Sequence, residues 1–173
     1  FFNPIKDKII GMTDGNHEFR LEDFANFSIA NTFCKALNIS YLGYSAIINF
    51  KVFKRPDGRR YMQSYLGYFH HGYGGGGGLG GKLNKVDRMR NIVPDADFYV
   101  GSHTHQMFQV PISIIRANVR KKKIEVHNQM LINSGSYLDW NGAYAERMGL
   151  APVTLGSPKI TLSGTTHNIK VEI

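Results

Sequence analysis

The chain has 173 residues and carries 21 Lys and Arg against 13 Asp and Glu, a formal net charge of +8. That length suits one domain, residues 1–173, with a real core, because a fold near 150 residues buries roughly two-thirds of the surface of its unfolded chain. With 42% apolar and 20% charged residues it reads as soluble and globular, which excludes collagen, coiled coil and wholesale disorder.

No apolar run approaches the roughly 20 residues of a membrane span, and no basic-then-apolar leader opens the chain, so no membrane partner is expected. Cys34 is the single cysteine, which excludes an intrachain disulfide framework and a thiolate zinc cage and favours a reducing, cytoplasmic setting. The basic excess favours an anionic partner such as phosphate, nucleotide or nucleic acid. Its densest run, Arg120-Lys121-Lys122-Lys123, lies between two apolar stretches and reads as the solvated turn of a hairpin. The chain opens Phe1-Phe2-Asn3-Pro4 with no initiator Met, so an upstream segment is expected.

Ile5, Ile9, Ile10 and Met12 read as a short buried strand over 5–13. It runs into Asp14-Gly15-Asn16-His17-Glu18. Leu21, Phe24, Phe27, Ala30, Phe33, Cys34 and Leu37 then recur every three or four residues and mark one apolar helix face. Residues 46–53 and 61–69, rich in aromatic and β-branched types, read as a strand pair around the turn formers of Arg55-Pro56-Asp57-Gly58. After five glycines at 74–78 a short helix is expected over 83–92, with Val86, Met89 and Ile92 facing inward. A strand over 97–101 follows, then strand pairs 110–117 with 124–132 and 159–162 with 169–173. Strands dominate, and no linker divides the chain.

Three of the histidine groups sit where a strand should end, which is where α/β folds assemble sites. In Gly101-Ser102-His103-Thr104-His105, an extended backbone would point both imidazoles the same way, and neutral imidazole is the commonest side-chain ligand for zinc and iron. Gly15-Asn16-His17-Glu18 places an amide oxygen and an imidazole together; Asn16 reads equally as a helix N-cap with Glu18 in the first turn. His70-His71-Gly72 is the third group.

These motifs, in this order, resemble the calcineurin-like metallophosphoesterases, whose signature contains Gly-Asn-His-Asp/Glu, then a His before Gly, then Gly-His-x-His. The closest flavour is the phage and bacterial type, which shares a Gly-rich stretch after the middle His, and Asn133-Ser134-Gly135-Ser136-Tyr137 resembles that family's later loop. Ser102 is an extra spacer in the last motif. The family's Asp-x-His and Gly-Asp-x-x-Asp motifs are not found in the sequence. The resemblance implies an α/β fold of two β-sheets packed face to face with helices outside, here without its opening portion.

It also implies a two-metal site of manganese, iron or zinc. Asn16, His71 and His103 would bind one ion and His105 the other, with His17 beside them stabilising charge or protonating the leaving oxygen. His70 would be a packing neighbour, or the ligand if His71 points away. The implied reaction is phosphoester hydrolysis, in which two ions about 3.5–4 Å apart neutralise the phosphoryl oxygens and activate water as hydroxide. The basic balance favours phosphodiesters, nucleic acid among them, over small monoesters.

Gly76 to Lys82 fits a phosphate-cradling Gly-x-x-x-x-Gly-Lys, but Leu83 stands where Ser or Thr should bind magnesium, so that motif is rejected. Gly74, Gly75 and Lys82 are read instead as substrate contacts on a mobile loop, or as mere flexibility; Lys85, Arg88 and Arg90 would extend a basic rim. Cys34 reads as core. The rival expectation is a catalytically incomplete module of the same fold, binding one metal or none and serving a binding or structural role. Under the hydrolase reading, by contrast, the missing motifs would come from an upstream segment or a partner chain. The fragment alone would be marginal or would self-associate as a homo-oligomer.

Overall fold

The computed structural model describes residues 2–55, 57–74, 77–141 and 144–173. Pro4 suits the start of a helical turn because its fixed φ and missing N–H cost nothing there, and Asn3–Lys8 winds into a 3-10 turn. The strand expected over 5–13 therefore shrinks to β1 (Gly11–Met12), and Ile5, Ile10 and Met12 stay exposed. Chain continuity brings β1 beside β2 (Ser40–Tyr41) in a two-stranded parallel ribbon.

Between them the expected single helix is two: α1 (Asn16–Ala25) and α2 (Ile29–Leu37). Asn26 ends α1 in the left-handed conformation (φ 49°), which Asn tolerates. Ser28 then starts α2 by accepting the Asn31 N–H at 3.2 Å, satisfying an orphan donor of the new helix. The break rotates the apolar stripe. Ala30 and Cys34 are buried, whereas Phe24 is 93% exposed and Phe27 and Phe33 are also exposed. The Leu21 side chain lies outside the described residues.

β3 (Ser45–Lys54) and β4 (Tyr61–His70) pair antiparallel from Ser45↔His70 to Lys54↔Tyr61. Their turn uses the Asp57 carboxylate, which accepts the Arg59 N–H at 3.2 Å; Pro56 lies outside the described residues. α3 (Leu79–Asp87) begins earlier than expected and tightens into a 3-10 turn, Arg88–Asn91. Val86 and Met89 are buried as predicted, but Ile92 faces solvent because it follows that tightened turn. Next come β5 (Phe98–Gly101), then β6 (Met107–Asn118) and β7 (Lys123–Ser134). A single turn, α4 (Tyr144–Arg147), precedes the antiparallel hairpin of β8 (Lys159–Leu162) and β9 (Ile169–Glu172).

The main sheet has five strands in the order β3-β4-β5-β7-β6, with β5 parallel to both neighbours. Side chains alternate across it. Tyr68, Tyr99 and Leu131 meet Val86 and Met89 of the helical segment on one face. Tyr65, Phe98 and Ile132 meet Val171, Ile160 and Leu162 of the β8–β9 hairpin on the other. Tyr65 fastens that second layer: its buried hydroxyl accepts the Asn168 N–H at 2.9 Å and lies 2.7 Å from the Ser163 carbonyl. The result is an α/β fold built on a mixed sheet. No helix among the described residues is long and apolar enough to cross a membrane.

Candidate functional site

Parallel pairing of β4 with β5 sets the site. The register ends at His70↔Gly101, and one further rung, Ser102 N–H to the His71 carbonyl at 3.1 Å, lays His71-Gly72 against Ser102-His103. Gly72 (φ +94°) permits that approach, since a Cβ there would stand 3.1 Å from the Ser102 carbonyl oxygen and 3.3 Å from the His103 Cβ. Gly101 does the same for α3: a Cβ would fall 2.8 Å from Val86 Cγ2.

The His-x-His segment is not extended, which corrects the sequence expectation. His103 (φ 63°) and His105 (φ 56°) are both left-handed, and the Thr104 N–H folds back to the Ser102 carbonyl at 2.6 Å. Two non-glycine residues in that conformation need support from their surroundings. The end of β7 supplies it. Buried Asn133 donates Nδ2 to Thr104 Oγ1 at 3.0 Å and to the Gln106 carbonyl. Ser134 Oγ donates to Ser102 Oγ at 2.8 Å, and Ser136 Oγ lies 3.2 Å from His105 Nδ1. The imidazoles are thus placed by a braced turn instead of by strand alternation.

Asn16 approaches from α1. Gly15 is the N-cap and Asn16 the first helical residue, with no side-chain cap bond, so the N-cap reading of Asn16 does not hold. Its Oδ1 is instead 3.1 Å from His71 Nε2, and the His71 and His103 ring centres are 5.3 Å apart. His70 turns away: its Nδ1 accepts the Gly72 N–H at 2.8 Å.

Burial is the main cause lowering the pKa of His71, His103 and His105. Each is lowered further by nearby positive charge: chiefly His103 for His71, His105 and Lys85 for His103, and Lys82 for His105. His17 adds a smaller lowering to all three. Glu18 pulls His71 the other way. Neutral imidazoles keep a lone pair, the form that ligates a metal ion.

Asp14 and Tyr41 are supports the sequence reading missed. Asp14 is 2% exposed, accepts the Tyr41 hydroxyl at Oδ2, and bonds the Gly43 carbonyl through its N–H at 2.8 Å. That hydrogen bond pushes the Tyr41 phenol up to about 12. The pair ties the segment before Asn16 to the β1–β2 ribbon. A carboxylate directly before Gly-Asn, at the end of an apolar stretch, was the available signal.

Of the glycine-loop residues, Gly74 presents its carbonyl to Lys85 Nζ at 2.8 Å, while Gly75 and Gly76 lie outside the described residues. Lys82 is close enough to depress His105. Arg90 is committed elsewhere, to Asp87 at 2.7 Å and Gln129 at 3.2 Å.

As a metal site the cluster fits in part. Two imidazoles and an amide oxygen converge from three elements, and they are the right donors for one borderline ion. Among the described residues, no three His, Cys, Asp or Glu side chains gather at metal-binding distance, so a carboxylate bridging two ions is not found there. No protein-family model, curated protein or solved structure matches the chain.

The titration carries a stability prediction. His70, His71, His103 and His105 have folded pKa values below the ordinary 6.5, mainly through burial. Below that value the unfolded chain takes up protons that the fold refuses. In chelator, the urea midpoint is expected to be level above neutrality and to fall as pH drops from about 6.5 towards 5. A midpoint that rises on acidification across that window would contradict the desolvated placement of these rings.

Proposed function

We propose that the chain forms part of a metal-dependent phosphoester hydrolase of the calcineurin-like metallophosphoesterase type, acting on phosphodiesters. The observation that carries this reading is the 3.1 Å approach of Asn16 Oδ1 to His71 Nε2 with the His103 ring alongside. Asn16, His71 and His103 would hold one ion and His105 a second. Two such ions, when bound, supply Lewis-acid charge for the phosphoryl oxygens and an acidified water. The chain's own part is to keep those imidazoles neutral, to set His17 where it can hand a proton to the leaving oxygen, and to place Lys82 at the rim. Imidazole nitrogens suit zinc and iron, and the Asn16 amide oxygen suits manganese.

The two-sheet sandwich of that type is part of the same proposal. In support, the β8–β9 hairpin covers one face of the main sheet and α3 the other. A cleft of about 190 Å³ between the β1–β2 ribbon and the main sheet, lined by Ile10, Leu42, Ile48, Phe69 and Val100, opens beside His70 and Ser102. A second reading, a catalytically incomplete module, is favoured by one observation: no acidic side chain completes a metal trio among the described residues.

Metal stoichiometry after manganese loading, measured beside hydrolysis of bis(p-nitrophenyl) phosphate, separates the two. Turnover with about two ions bound supports the hydrolase. One ion or none, with no turnover, leaves the incomplete module.

A further inference from the structure

The β6–β7 hairpin runs well past β5, as the β3–β4 hairpin does on the other side. β5 pairs with β7 only from Phe98↔Met130 to Gly101↔Asn133, whereas β6 and β7 pair along their whole length to Asn118↔Lys123. Twelve residues at about 3.3 Å each put the hairpin's tip roughly 35 Å from the histidine cluster, at the opposite end of β6.

One face of this arm is tied to the body. Arg116 reaches Asp95 at 3.1 Å and the Pro94 carbonyl at 2.9 Å. The other face carries the cross-strand pairs Ile115↔Val126 and Ala117↔Ile124, followed by Val119 at the turn. Its large side chains are out in solvent: Ile115 73%, Val119 83%, Ile124 71% and Val126 69% exposed.

Alternation normally puts polar residues on a solvated face. Three branched aliphatics on this face, with Val119 at the turn beyond them, are the reverse of that rule. Beside them stand Arg120, Lys121, Lys122 and Lys123, with Glu125 as the local carboxylate. Glu125 accepts from Lys121 at 3.2 Å and Lys123 at 3.1 Å, and among the described residues no carboxylate pairs with Arg120 or Lys122.

We propose that this arm is a peripheral membrane contact, its aliphatic face entering the headgroup region of an anionic bilayer while the basic turn binds the lipid phosphates. An apolar face rimmed by Lys and Arg is the composition that holds a surface segment in such an interface. A nucleic-acid backbone would use the four cations and leave the four aliphatics exposed. A second copy would use the aliphatics but bring like charges closer together. The anionic bilayer uses both features. It also leaves the histidine cluster facing away from the surface, open to soluble substrates.

The test is co-sedimentation of the full chain with vesicles of phosphatidylcholine alone and of phosphatidylcholine mixed with phosphatidylserine. Binding is expected to the mixed vesicles and to weaken as salt rises. Ile124→Asn with Val126→Asn, which keeps every charge, should weaken it about tenfold or more, as should Arg120→Ala with Lys122→Ala. These side chains are exposed, and circular dichroism of each variant checks the fold. An environment-sensitive dye on Val119→Cys, with Cys34 buried, should shift to the blue on mixed vesicles. The proposal is overturned by absence of vesicle binding, by binding indifferent to the Asn substitutions, by preference for a duplex oligonucleotide over mixed vesicles, or by a dimer in sedimentation velocity that the Asn substitutions dissociate.

Discussion

His71→Ala should lower manganese affinity by more than about 100-fold, a larger loss than the 10–100-fold typical when a residue merely supporting a ligand is removed. Phosphodiester hydrolysis should fall to background with it. His71 is the hinge of the cluster, 3.1 Å from Asn16 through Nε2 and in ring contact with His103. Truncation therefore removes one donor and separates the other two.

The neighbouring histidine is the control. His70 spends Nδ1 on the Gly72 N–H and flanks Tyr68 and Tyr73, so His70→Ala should keep affinity within about tenfold. Both rings are partly buried, so their truncations should cost comparable stability. Calorimetric titration of the two variants reads the difference. Equal losses would mean that the turn collapses without either ring acting as a ligand, and unchanged affinity in His71→Ala would remove the ligand role.

Which parts of this site could be read in the sequence depends on how local the cause was. The strand pairs around Asp57 and along β6–β7 follow from alternation and turn chemistry, both short-range, and the sequence reading finds them within a few residues. The single helix expected over residues 21–37 fails for the converse reason. The apolar period continues across Asn26 and Ser28, while a left-handed Asn and a Ser cap cut the backbone beneath it. Ile10 and Met12 fail differently: a two-residue strand in a two-stranded ribbon has too little sheet around it to bury them.

At the site, residue types were legible and geometry was not. Asn16, His71 and His103 stand out as donors after apolar stretches. That they meet depends on β4 lying parallel to β5, a pairing between residues about thirty apart that no local pattern encodes. The His-x-His turn is the sharpest case. Period-two reasoning predicts convergence for an extended backbone, and the chain reaches its arrangement through left-handed φ values held by Asn133, which lies on another strand.

Asn133→Asp is the harshest single test of that brace. Asn133 is fully buried, and its amide is the donor for Thr104 Oγ1 and the Gln106 carbonyl on either side of His105. An ionised carboxylate keeps the shape but donates nothing; the Thr104 hydroxyl can turn to donate to it, whereas the Gln106 carbonyl is left facing negative charge without a cation to offset it. Removing one side of a buried polar pairing in this way costs about 3–5 kcal/mol, a large share of the 5–15 kcal/mol that holds an ordinary domain together.

Asn133→Ala should be milder, about 1–3 kcal/mol. It loses both bonds, but it also removes Oδ1, which has no hydrogen-bond partner among the described residues. The sign of the pH dependence separates a lost donor from a lost shape. Burial raises the pKa of the introduced carboxyl, and its protonated form can donate again. The gap in urea midpoint between Asn133→Asp and the unsubstituted chain should therefore be widest near neutrality and narrow as pH falls towards 5. A wild-type midpoint for Asn133→Asp at neutral pH would show that the turn at His103 and His105 stands without this brace, and its left-handed residues would then need another cause.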